Sequence, residues 1–431
     1  MSPWRHVGKG SRVYGARAVL VVALAAALIA LGGASTASAA SIASAHWTEP
    51  HSSGCAKTTT GAERSARAAD WTQFGYDPAD TRCQPFEKIL SPKTVGQLHL
   101  NWQVTSAMFG SAVPAVVNGV VYAPSEYPDN KLYAFKATTG AQLWSASIPT
   151  IIGTNPSALA VADGFVYVSV NFSLYTFRAE TGKPGWTFTT GSYLQTPPAI
   201  SDDVVYVASQ DSHLYALRAG TGKLLWSATI AGSFVPGPVA IANRAVYVAA
   251  GNALESFSAK TGKLLWSVPF PVSASAPVYA NGLIYIGGSD FDVHAFDART
   301  GAQVWKAATG NIVNPSVAVD RTTVYVGSGD GLLYAFNART GAKRWSAATN
   351  PGDAIFAAAA VANGVVYVPS ACSCGFDSEN HLFAYNAETG ARLWSYAPGY
   401  PVYTAPVVVN GQLYWGTHTG FDAFHLSKSR A

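Results

Sequence analysis

Eight tryptophans recur along this chain at intervals of 42, 42, 40, 40, 39, 40 and 49 residues: Trp102, Trp144, Trp186, Trp226, Trp266, Trp305, Trp345 and Trp394. Seven of them follow a Thr-Gly pair at a fixed distance, from Thr139-Gly140 before Trp144 to Thr389-Gly390 before Trp394. Each unit also holds a β-branched run ending in Tyr122, Tyr167, Tyr206, Tyr247, Tyr285, Tyr325, Tyr367 or Tyr414, and a later short run such as Leu132-Tyr133-Ala134-Phe135. Asn-Gly and Thr-Gly pairs between the runs supply residues that tolerate positive φ, as tight hairpins require. Four short strands with their turns fill about 40 residues. Four antiparallel strands repeated radially make an all-β, eight-bladed β-propeller. A solenoid of this period needs polar caps at its ends, and the sequence offers none.

The chain ends predict how the ring closes. The eighth unit runs to Phe421-Asp422-Ala423-Phe424 and stops where Thr-Gly and Trp are due. Trp102, in Leu98-His99-Leu100-Asn101-Trp102, stands before any unit that owns it. The N-terminal strand is therefore expected to complete blade eight and remove the exposed edges. The eight tryptophans are read as interblade packing residues.

Charge separates the ends from the body. Of a formal net charge of +4, Arg5, Lys9, Arg12 and Arg17 supply the whole excess, and no acid lies in residues 1–39. An apolar stretch, Ala18 to Gly33, follows, then small residues around Ala37-Ser38-Ala39. This is the three-part pattern of a bacterial-type export signal, cleaved after Ala39 or Ala40. The reading divides the chain into a signal peptide (1–39), a flexible linker (40–70), one propeller (71–426) and a tail (427–431). It predicts a secreted or extracytoplasmic monomer with no membrane span after cleavage. The rest of the chain balances to zero charge, so no basic face for nucleic acid is expected.

The repeat Ala-x-Thr-Gly-x-x-x-Trp resembles that of the quinoprotein alcohol dehydrogenase-like propellers, the pyrroloquinoline-quinone (PQQ) repeat family. Trp71-Thr72-Gln73-Phe74-Gly75-Tyr76-Asp77, continuing through Thr81-Arg82 to Leu98 and Trp102, is similar to the opening segment of those dehydrogenases. The resemblance covers about residues 71–426. It implies two kinds of relative, quinone-dependent dehydrogenases and non-enzymatic scaffold propellers related to the outer-membrane assembly lipoprotein. In the dehydrogenases, it implies PQQ and calcium at the channel mouth, held by a glutamate and an asparagine. An aspartate serves as base, a tryptophan stacks on the quinone and an adjacent-cysteine disulfide covers it. Here the stretch due to hold that cysteine pair reads Ile151-Ile152-Gly153-Thr154-Asn155-Pro156. The third unit has Ser209-Gln210-Asp211 without a glutamate, and only Asn252, after Gly251, matches the metal-binding asparagine.

The sequence thus favours a ligand- or protein-binding scaffold, with a cell-envelope or extracellular protein, or an apolar small molecule or polymer, as partner. The alternative is a PQQ-dependent dehydrogenase of an alcohol, sugar or polymeric alcohol, needing PQQ and calcium. Phe109, Tyr193, Phe234, Phe356 and Tyr403, in the loops entering the innermost strands, are candidates for an aromatic ligand mouth. Cys55, Cys83, Cys372 and Cys374 are disulfide candidates in an exported protein, with Cys83 to Cys372 or Cys374 favoured as a clamp. No metal site is assigned. The chain carries no P-loop, Gly-x-Ser-x-Gly or His-Glu-x-x-His signature.

Overall fold

A computed structural model describes residues 70–431 apart from 110–112, 151–154, 195, 236, 272–274, 373–380, 399–403, 418–419 and 427–431. The expected signal peptide, most of the linker, the tail, Tyr403, Cys55 and Cys374 lie outside the described residues, as does the side chain of Cys372. Eight antiparallel sheets follow one another along the chain, each built of an inner, a second, a third and an outer strand. Blade three is representative, with strands Ala199–Ser201, Val204–Ser209, His213–Arg218 and Leu224–Thr229. Blade eight contains Val407–Val409, Gln412–Thr417 and Gly420–Leu426, and its outer strand is Leu98–Val104, in register Leu98↔Leu426 to Val104↔Phe421. The N-terminal strand closes the ring as the repeat phase predicted.

Eight apolar cores hold the ring together, each spanning at least two neighbouring blades. Tyr122 and Val168 meet between blades one and two, and Tyr133 and Tyr414 between blades one and eight. The repeat motif explains how these seams are built. The indole Nε1–H of each of the eight tryptophans donates to a backbone carbonyl of the next blade at 2.8 to 3.2 Å. For seven of them the acceptor is the Ala of Ala-x-Thr-Gly, for example Ala179 O for Trp144 and Ala137 O for Trp102. In six seams a tyrosine hydroxyl donates to the same carbonyl, as Tyr122 does to Ala179 and Tyr414 to Ala137. A carbonyl has two lone pairs, so one buried oxygen satisfies both donors. Blade eight lacks Ala-x-Thr-Gly. Trp394 bonds Leu98 O instead, and the buried Tyr367 hydroxyl has no partner.

The segment before the propeller lies inside it. Trp71 exchanges two backbone bonds with Val116 of blade one, and Thr72 O accepts from Val161 N–H of blade two. Gln73 Oε1 accepts from Ile200 N–H of blade three. Pro78, Ala79, Thr81 and Arg82 carbonyls then accept from Ile241, Tyr279, Val319 and Val361, the inner strands of blades four to seven. Cys83–Gln84 adds a parallel strand to blade seven, and Glu87 Oε2 reaches Gly411 N–H of blade eight at 2.9 Å. The segment therefore bonds all eight blades in order. Asp70, the last residue of the expected linker, is already part of it, accepting from Asn118 N–H.

Candidate functional site

Antiparallel blades give the ring two unlike faces. The hairpins joining inner to second and third to outer strands share one face, where the two are bonded within a blade, as in Ala219 N–H to Asp203 O. We call it the turn face. The middle hairpins and the interblade linkers share the opposite, linker face, as in Gln210 N–H to Tyr193 O and Gly251 N–H to Phe234 O. The inner segment meets the inner strands just before their first hairpins, so it crosses the ring axis toward the turn face. The linker face is left for a ligand.

Of the aromatic mouth candidates, Tyr193, Phe234 and Phe356 are exposed on linkers, Phe234 by 55% and Phe356 by 45%. Phe109 is not available. It is 1% exposed and packs edge-on against Tyr133, Phe135 and Phe421, in the seam between blades one and eight. Sequence reasoning passed over Tyr127 and Phe291, which are exposed on middle hairpins of the same face. Their signal was position: each lies between the second and third runs of its unit.

The acids of this face hold structure. Asp211 Oδ2 accepts from Tyr215 OH at 2.8 Å and Gly191 N–H at 2.7 Å, stapling a middle hairpin to the preceding linker. Asp330 does the same with Tyr334 and Gly310. Burial, and behind it the paired carboxylate, pushes the Tyr215 and Tyr334 hydroxyls up to about 12, so both stay donors at neutral pH. Glu255 accepts from Ala231 N–H, and Asp353 from Ser370 Oγ.

Blade five replaces the tyrosine of this staple with His294, which brings Asp290, Asp292 and His294 within metal-ligand reach of one another. The members of that cluster are already engaged with other side chains. His294 Nε2 lies 3.0 Å from Asp290, and Lys306 Nζ sits 2.8 Å from Asp292. His294 Nδ1 is buried without a partner, whereas a metal-bound histidine normally donates its other ring N–H. The PQQ–calcium donor set fares no better. Asn252 is exposed, and the glutamate three residues on is spent on Ala231. The described residues do not fit that group.

Charge is segregated between the faces, which corrects the expectation that no basic face exists. Among the described residues, the hairpins of the turn face carry fourteen Lys and Arg against seven Asp and Glu. The linker side carries two, Lys131 and Lys306, against eight acids, and both are tied to a neighbouring aspartate. A count over residues 40–431 averages these to zero. Cys83 is buried beside Val361 of blade seven, and no described cysteine is free.

The family described as outer membrane protein assembly factor BamB, built on PQQ-type repeats, matches residues 91–232, 170–292, 211–352 and 289–420. The chain belongs to this PQQ-repeat propeller family. The chain is 32% identical over 132 residues to 1-butanol dehydrogenase (cytochrome c) of Thauera butanivorans. That match covers 28% of this chain and only 19% of the relative's length. Quinohemoprotein alcohol dehydrogenase of Comamonas testosteroni superposes with a TM-score of 0.68 at 16% identity, over 85% of this chain and 82% of its own. BamB of Moraxella catarrhalis gives 0.62 at 16% identity, over 76% and 99%. Among the described residues no helix is long and apolar enough to cross a membrane.

Proposed function

We propose that this PQQ-repeat propeller is an exported binding scaffold that engages a protein or an apolar ligand through its linker face. One observation carries the reading. On that face aromatic rings are exposed while Asp129, Asp211, Glu255, Asp290, Asp292, Asp330 and Asp353 are committed to hydrogen bonds or ion pairs. Exposed aromatic side chains give large contact area at low entropic cost, whereas dehydrogenation needs a free base beside the substrate. The BamB relatives support a protein as the partner. Export rests on the N-terminal charge and apolar pattern, and a disulfide from Cys83 to Cys372 or Cys374 is consistent with an oxidising compartment.

Photo-cross-linkers placed at Phe234 and at Lys263, on opposite faces, test it. The reading requires a defined adduct from the Phe234 position alone; adducts from neither position, or only from Lys263, would remove it. The dehydrogenase reading is tested separately by adding PQQ and calcium with an artificial electron acceptor. Turnover of an alcohol or sugar would replace the scaffold with an enzyme.

A further inference from the structure

We propose that the turn face docks the propeller onto a phospholipid bilayer carrying anionic headgroups, leaving the linker face pointing away from the membrane. Two independent observations coincide there. The first is charge. Each of the seven outer hairpins of blades one to seven presents an exposed Lys or Arg, from Lys136 to Arg392. These charges form a ring at one height instead of a cluster in a groove. The second is apolar exposure directly beside that charge. Lys223 is followed by Leu224 and Leu225, and Lys263 by Leu264 and Leu265, in adjacent blades. All four leucines open an outer strand and are exposed, Leu265 by 53%. Isolated surface leucines need no explanation, but pairs repeated next to lysine on one rim do.

The occupant follows from the combination. A basic surface alone suits any polyanion. Leucines interleaved with lysines suit a bilayer, in which the ammonium groups meet lipid phosphates while the side chains enter the headgroup boundary. A nucleic acid offers these leucines nothing to enter. The arrangement also favours a planar partner: one basic hairpin on each of blades one to seven reaches a sheet of headgroups together, and the segment from Trp71 to Gln84 crosses the axis toward this side.

Vesicle flotation of the full chain tests the assignment, comparing phosphatidylglycerol-containing vesicles with pure phosphatidylcholine. The N-terminal apolar and basic stretch is the same in every protein compared, so the variants carry the decision. K223E/K263E is expected to weaken partitioning to the anionic vesicles by at least about tenfold, since each basic residue near an anionic surface contributes about a factor of five. Leu224, Leu225, Leu264 and Leu265 changed together to Ser are expected to weaken it as well, while F234S/F356S on the other face leaves it unchanged. Circular dichroism checks that each variant keeps its fold. Wild-type partitioning by K223E/K263E overturns the proposal. So does partitioning that is insensitive to the four leucines but abolished by competing duplex DNA, which would reassign the face to nucleic acid.

Discussion

Gly182 of blade two lies against the indole of Trp144 in blade one, with φ at +69° and room for no side chain: a Cβ there would stand 2.5 Å from Cε3. The same contact recurs in seven seams, including Gly140 against Trp102 where the ring closes. The Ala-x-Thr-Gly-x-x-x-Trp motif is thus a seam written in one line. Its alanine carbonyl receives the previous blade's tryptophan, its glycine supports that indole, and its own tryptophan reaches forward.

Gly182→Ala should therefore cost more than the backbone penalty. Ala at positive φ costs about 1 kcal/mol, and displacement of a packed indole adds about 1–3 kcal/mol. Gly119, also at positive φ but with no atom within 4 Å of where a Cβ would stand, supplies the control and should lose only the first part. Urea unfolding midpoints compare them; equal losses would deny the indole contact its role.

The shared acceptor predicts coupling between two residues that do not bond each other. Trp226 and Tyr206 both donate to Ala259 O. Trp226→Phe or Tyr206→Phe alone leaves that half-buried oxygen one of these two donors, whereas the pair leaves it neither. The double variant should lose about 1 kcal/mol beyond the sum of the singles. A thermodynamic cycle from urea melts reads this term, and strict additivity would contradict it.

Asp80 makes stability fall with rising pH. Burial raises its carboxyl to about 8, against a lowering by Arg82 and a further raising by Asp77. Both of its oxygens lack partners. The folded state keeps a proton that the unfolded chain gives up near 3.8, so the contribution is complete below that value and is lost as pH rises to about 8. Asp422, raised to about 6 chiefly by burial, acts in the lower part of the same window. Between pH 6 and 8 the slope belongs to Asp80, and Asp80→Asn should flatten it by a few kcal/mol. A slope unchanged in that variant would place the titration elsewhere.

The proposed clamp is checked by mapping and reduction. Peptide mapping under non-reducing conditions should link Cys83 to Cys372 or Cys374, and Cys83→Ser should lose about 2–4 kcal/mol. Recovery of Cys83 as a free thiol would remove the clamp.

The ring was legible because its determinants repeat. Tryptophan, Thr-Gly and Asn-Gly at fixed spacing specify strand, hairpin and seam locally, and the missing Trp of unit eight was visible against that period. The inner circuit was not legible. Trp71 to Arg82 bonds blades one to seven mainly through backbone groups, which leave no pattern in side chains. Phe109 and Phe234 are both aromatic residues on linkers, and only the neighbours Tyr133 and Phe421 decide that one is buried. Charge segregation escaped for a related reason, since sequence order interleaves Lys223 with Asp211 while the hairpins send them to opposite faces.

The circuit has a consequence for how the molecule holds its energy. In an array whose units touch only their neighbours, stability is close to additive and one end can melt while the rest persists. Here a stretch of fewer than twenty residues, the first of the described chain to be synthesised, is satisfied only when all eight blades stand, and the last of them takes three of its four strands from Val407 to Leu426. Loss of any blade strands a hydrogen-bond acceptor at the axis as well as opening two seams. Unfolding of this ring should accordingly be one cooperative transition.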